Sequence, residues 1–455
     1  MSLTTPSSVQ KLQTALHAKA KESPDFRFYA LYDKVYRKDV LAYAYERCKA
    51  NGGAAGVDNQ TFEDIEQYGT ERWSDELTRE LKSRTYQPQP VRRVYIPKPD
   101  GKQRPLGIPT IRDRVVQMAA VLVLEPIFEA DLQPEQYAYR ADRSALDAVQ
   151  HVHKLINTGH GQIVDADLSS YFDSVPHAEL MRSVARRVVD GAMLHLIKIW
   201  LEAPVEETDE RGNLHRSTRN RDEGRGTPQG SPISPLLSNL YMRRFVLGWK
   251  KLGHEERWRA YIVNDDLVIC CRVGAEQALA AMRVMMSKLK LTVNESKTRV
   301  CYLPEEKFDF LGYTFGRCYS MRKGRVFLGT VPSKKRVQRI CRAISDETGR
   351  DTVWQDSKTT VARLNRMMIG WANYFCLGQS ARPTVRSIPT PAGGCVGGYA
   401  TNTTSRGRHT SVFRKRLFTP CMAWSSYHTG PRAFRGRKRE SFPRAGCGKS
   451  ARPVR

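Results

Sequence analysis

Apolar and polar positions alternate along this chain in ways that mark strands, helices and one long segment without period. Residues 261–271, YIVNDDLVICC, carry Val, Ile and Leu on both sides of an acidic pair. They predict two short buried strands with Asp265 and Asp266 where a hairpin turns. About a hundred residues upstream, IVDADLSSYFDSVPH (163–177) alternates into a second acidic strand ending near Asp167. SPLLSNLYM, after the rigid Gly226, Pro228, Gly230 and Pro232, opens a helix with Ser234 or Ser231 as its N-cap. In residues 356–375, Val361, Leu364, Met368, Trp371 and Phe375 recur at steps of three and four. That spacing predicts a helix with a core-facing stripe, capped by Asp356 or Ser357. From residue 379 the chain is rich in Gly, Pro, Ser and Thr without apolar period, a composition that predicts disorder.

Length and charge narrow the possibilities. A chain of 455 residues can bury a large core and form more than one domain. The net charge of +27 points to a polyanionic partner. Residues 379–455 hold 16 Lys/Arg against one Asp/Glu, and the other 378 residues hold 58 against 46. The ten cysteines show no CxxC pair and no zinc-like Cys/His spacing; Cys270 and Cys271 read as core thiols in a reducing, cytoplasmic setting. The longest apolar run, VVQMAAVLVLEPIF, is too short to span a bilayer and is interrupted by Gln, Glu and Pro, and no signal peptide is expected.

The acidic strands carry the chemistry. An isolated Asp-Asp pair ordinarily marks a solvated turn. Between buried strands, two adjacent carboxylates need a cation. Asp167, Asp265 and Asp266 together are the donor set of a two-metal phosphoryl-transfer site, whose ions lie about 4 Å apart. Asp165 and Asp173 are the rival acids. The Gly-Pro loop between the two strands then reads as a template and nucleotide platform.

The ordered blocks resemble those of the bacterial group II intron-encoded reverse transcriptases and maturases, from about residue 30 to residue 378. IPKPDGKQRPLGIPTIRDRVVQ (96–117) is similar to the fingers motif, and EQYAYRADRSALDAV (135–149) to the next block. ADLSSYFDSVPH and GTPQGSPISPLLSNL resemble motifs A and B; LTVNESKTRVCYLPEEKFDFLGYTFG (291–316) resembles the blocks that close the palm. PSKKRVQRI and LNRMMIGWANYF resemble the maturase, or thumb, domain. The resemblance implies an α+β right-hand polymerase: an N-terminal extension and start of fingers over 1–90, fingers and palm over 91–320, a helical thumb over 330–378, and the basic tail. It implies RNA-directed DNA synthesis with Mg²⁺, a DNA primer on an RNA template, deoxynucleoside triphosphates, and binding of the parent group II intron RNA to assist splicing. It assigns metal binding to Asp167, the Leu168 carbonyl, Asp265 and Asp266. It places Lys98, Arg104, Gln229 and Lys297 on the nucleotide and makes Phe172 the gate against a 2′-hydroxyl. Arg363, Arg366 and Asn373 become RNA contacts. The bland alternatives are core for Phe172, surface charge for Lys297 and a solvated tip for Lys102. An RNA-dependent RNA polymerase is disfavoured by the aromatic gate.

The chain departs from the family pattern in two places. Tyr-Ala-Asp-Asp is expected at the acidic hairpin, but Asn264 passes directly to Asp265. Losing two residues keeps strand parity and removes about 6.6 Å of strand. If the preceding loop GHEERWRA yields the slack, the carboxylates still reach the metals; if not, polymerisation is impaired and a non-catalytic RNA-binding maturase is the competing reading. After Gly378 the family's basic helical segment is replaced by the aperiodic tail. Residues 445–455 can be encoded by a string in which GUGCGG pairs with UCCGCAC, resembling the catalytic domain V hairpin of a group II intron. The tail is therefore expected to be misframed.

Overall fold

In the computed structural model, the described residues are 3–97, 101, 103–209, 211–263, 266–320, 324–349 and 354–377. They fall into two compact units, one of residues 3–340 with 372–377 and one of residues 341–371. The tail expected to be disordered and misframed lies outside the described residues.

Among the described residues the larger unit carries eleven strands: β1 Val91–Pro97, β2 Gln103–Ile108, β3 Gln162–Asp167, β4 Val205–Thr208, β5 Leu214–Ser217, β6 Trp258–Val263, β7 Asp266–Cys271, β8 Arg299–Tyr302, β9 Phe308–Phe310, β10 Tyr313–Ser320 and β11 Arg325–Pro332. They form three sheets, ordered β2-β1-β4-β5, β6-β7-β3-β8 and β11-β10-β9. The two acidic runs of the sequence are neighbours in the central sheet: β3 lies antiparallel between β7 and β8.

Because successive strand residues point to opposite faces, that sheet sorts its residues into two cores. Val164, Ala166, Leu267, Ile269 and Cys271 join the larger cluster, with the helices Ile111–Glu129, Ser234–Lys251 and Ala275–Lys288. Ile163, Val268 and Cys270 join a second cluster with Ala148, Val149 and Val152 of the helix Ala145–Asn157 and with Phe308, Phe310 and Phe315. The long apolar run falls within the helix Ile111–Glu129, which is buried on every face along nearly its whole length, including Asp113, Arg114 and Gln117. No helix of the described residues is long and apolar enough to cross a membrane.

Two local expectations change. The helix Ser234–Lys251 has Ile233 at its N-cap and no side-chain cap. The Ser231 hydroxyl instead donates to the buried Gln117 amide of the central helix, a tertiary bond that outcompetes local capping. The thumb-like helix Ser357–Tyr374 is capped by Asp356, whose Oδ2 accepts from Thr359 N at 2.9 Å. Its apolar stripe, expected as core, is only half-buried at Val361, Leu364, Met368 and Trp371. So small a unit, of residues 341–371, cannot close a core with its described residues alone. Phe375, with Tyr374, packs against the second cluster of the larger unit.

Candidate active site

β3 and β7 pair through Gln162↔Cys271, Val164↔Ile269 and Asp167↔Asp266. Directly opposed residues share a face, with Cβ atoms roughly 4.5–5.5 Å apart, so the two carboxylates stand side by side at one end of the sheet. β6 returns on β7 with Val263 opposite Asp266. Asp265, and with it part of the expected ligand set, lies outside the described residues. Among the described residues no group of three His, Cys, Asp or Glu converges. Between the end of the helix at Lys251 and the start of β6 at Trp258 the chain makes only a single 3-10 turn, His254–Glu256. The connection is short, yet the register of Asp266 with Asp167 is kept.

The Asp167 carboxylate is held from the turn before β8. Asn294 Nδ2 donates to Asp167 Oδ2 at 2.8 Å and Lys297 Nζ to the same oxygen at 3.0 Å. Asp165 shares the face two residues earlier and lies opposite Arg299, whose Nε is 3.6 Å from its Oδ2. Burial pushes the Asp165 carboxyl up to about 6, against the pull of Arg299. Asp173, the other rival, leaves this face: Ser170 turns the chain at φ +46° into the short helix Tyr171–Ser174. Gln229 Nε2 then sits 3.5 Å from Asp173 Oδ2.

Phe172 is half-buried against the larger core, its ring tilted on Tyr171. Its carbonyl accepts from Thr227 N at 2.7 Å and Thr227 Oγ1 at 3.2 Å, which ties it to the Gly-Pro loop. The loop is tied in turn to the β1–β2 hairpin, where Gly107 N donates to the Gln229 carbonyl at 2.6 Å. Arg104 is exposed on β2 opposite Ile96. Lys98 and Lys102 lie outside the described residues. Leu168 is buried and bridges Val293.

Of the three RNA-contact candidates, Arg366 and Asn373 are exposed. Arg363 is engaged within its own unit, bonded to Gln355 and 3.6 Å from Glu347. Asn294 escaped the sequence reading. Its block was visible, but an Asn-Glu-Ser run signals a turn and says nothing of what the turn touches.

The profile described as Reverse transcriptase (RNA-dependent DNA polymerase) matches residues 96–315. Protein YkfC of Escherichia coli K12 is 32% identical over 373 residues, covering 72% of this chain and 93% of its own length. The group II intron-encoded protein LtrA of Lactococcus lactis subsp. cremoris is 32% identical over 237 residues, covering 51% of this chain and 37% of its own. The chain belongs to the group II intron reverse transcriptase and maturase family. A further relative is the putative COX1/OXI3 intron 1 protein of Saccharomyces cerevisiae, 29% identical over 330 residues, with coverage of 60% and 38%. The chain thus spans nearly all of YkfC and little more than a third of the two intron proteins. The mixed helices and sheets of the described residues agree with that family's right-hand polymerase fold.

Proposed function

We propose that this chain is an RNA-directed DNA polymerase that also binds its group II intron RNA, and that the shortened acidic hairpin retains polymerase geometry. The observation that carries the reading is the register Asp167↔Asp266. β7 pairs with β3 and with β6 from Asp266 through Cys271, so the shortened connection still closes a paired hairpin level with Asp167. Asp167, Asp266 and the Leu168 carbonyl, with Asp265, offer hard oxygen donors of the kind Mg²⁺ takes. Reverse transcriptases use divalent metal ions, which activate the primer 3′-hydroxyl and stabilise the leaving pyrophosphate.

The chain's own groups supply positioning. Asn294 and Lys297 orient the Asp167 carboxylate. Phe172, fixed through its carbonyl by Thr227, stands as the gate beside the sugar. Gln229 and Arg104 flank the nucleotide from the loop and the fingers, where Arg104 brings a charge-assisted donor to the triphosphate. The net charge of +27 favours RNA generally, and the exposed Arg366 and Asn373 are the candidate intron contacts.

Primer extension on an RNA template tests the reading. Asp167→Asn and Asp266→Asn should each reduce extension about a thousandfold while RNA binding stays within twofold, taking roughly 4 kcal/mol as the loss of one charged ligand. Extension that survives either substitution would sink the assignment.

A further inference from the structure

We propose that Asn294 is a positioning residue that sets the rotation of the Asp167 carboxylate and so determines which of its oxygens is presented for metal binding. The inference rests on the reading of Asp167 as a metal ligand. A carboxylate on an aspartate rotates over a broad, roughly two-fold well unless something holds it. Here the turn Val293–Thr298 is fastened to the end of β3 by its main chain. Leu168 bridges Val293, Ser169 N donates to Thr292 O at 2.9 Å, and Asn294 N donates to Asp167 O at 2.8 Å. With the backbone of Asn294 anchored to the backbone of Asp167, its short side chain reaches one oxygen only. Asn294 Nδ2 donates to Asp167 Oδ2 at 2.8 Å.

The amide orientation follows from its partners. An ionised carboxylate only accepts, so the amide nitrogen must face Asp167. That turns Asn294 Oδ1 to Ser296, whose Oγ donates to it at 2.8 Å. Asp167 N and Thr298 Oγ1 lie 3.4 Å apart on the same turn. Among the described residues, the side-chain bonds of Asp167 go to Oδ2, from Asn294 Nδ2 and Lys297 Nζ, which leaves Oδ1 open to a further partner.

Lys297 bonds the same Oδ2, but the two donors differ in kind. Lys297 ends a flexible four-carbon stem, and its side chain is 54% exposed. It can exchange Asp167 for an anionic ligand. Asn294 cannot leave without breaking the turn, so it is the fixed half of the pair. Groups that orient a metal ligand from behind, when removed, typically cost tenfold or more in metal affinity.

The test measures Mn²⁺ binding by electron paramagnetic resonance to the full chain on an RNA template with a DNA primer. Asn294→Ala should weaken Mn²⁺ binding about tenfold, with unchanged melting temperature and unchanged template affinity. Ser296→Ala, which leaves every contact to Asp167 in place, should weaken it in the same direction by about two- to threefold. Asp167→Asn serves as reference and should abolish the site. Wild-type Mn²⁺ affinity in Asn294→Ala, with Asp167→Asn losing it, would overturn the positioning role alone. Should Asp167→Asn keep the site, the metal assignment itself fails and the positioning role with it. If Asn294→Ala does not fold, wild-type affinity in Ser296→Ala overturns the proposal.

Discussion

Replacing Gly230 with alanine strikes the joint between the β1–β2 hairpin and the Gly-Pro loop, the loop proposed to carry Gln229 against the nucleotide. Gly230 has φ +114°, a conformation costly for any residue with a Cβ. A Cβ built there would lie 2.6 Å from the Gly107 carbonyl oxygen and 3.4 Å from Leu106 Cδ1. Relief requires a shift of roughly half an ångström between backbone atoms, on top of ~1–3 kcal/mol of backbone strain. β2 is held along its length by β1, so the loop is the part that yields. Its movement pulls the Gln229 carbonyl from Gly107 N, a bond of 2.6 Å, and displaces the Gln229 side chain with it. Losing about 1–2 kcal/mol of nucleotide contact raises KM for deoxynucleoside triphosphate about 5- to 30-fold. Steady-state primer extension, with template affinity measured separately by fluorescence anisotropy, reads the change. Gly212→Ala is the control: its φ is +83°, but a Cβ there meets nothing within 4 Å, so it carries the strain without the clash. A Gly230→Ala enzyme with KM within twofold of wild type would refute the coupling, as would an equal rise in Gly212→Ala.

Two further outcomes are expected. Phe172→Ala should raise ribonucleotide use relative to deoxyribonucleotide use, because Thr227 holds the backbone in place while the ring is removed; an unchanged ratio in a variant that still extends would make Phe172 core. Asp190 Oδ2 accepts from Leu31 N at 2.7 Å and Tyr32 N at 2.8 Å, and Oδ1 from Ala192 N and Met193 N. Burial acts to raise its carboxyl, but these four donors outweigh it and hold it below its ordinary value. Its contribution is therefore fully present above an unfolded value near 3.9 and is lost as pH falls through the lower folded value. Asp190→Asn should cost about 2 kcal/mol in urea denaturation at pH 7 and progressively less below about pH 4; a penalty constant with pH would contradict the pairing.

The sequence made the chemistry legible where a polar residue interrupts an apolar period. Asp167 and Asp266 were identifiable because buried strands surround them, and their strands prove to be adjacent and in register. What depended on a distant partner stayed hidden. Ser231 reads as a cap until Gln117 of another helix claims its hydroxyl. Arg363 reads as an RNA contact until Glu347 and Gln355 are placed beside it. Asn294 reads as a turn residue, and only the docking of that turn on β3 gives it a carboxylate to hold. The β4–β5 hairpin that extends the β2-β1 sheet carries no apolar alternation strong enough to announce itself, since β5 is exposed at all four positions.

The shortened hairpin decides the account. Primer extension on an RNA template should be compared between the chain as it stands and a variant with Tyr-Ala inserted between Asn264 and Asp265. Because Val263 already opposes Asp266 and Asp266 already opposes Asp167, the uninserted protein should incorporate deoxynucleotides at a rate within about tenfold of the inserted one. No incorporation by the uninserted protein, with incorporation restored by the insertion, would show that the carboxylates are not where the register puts them.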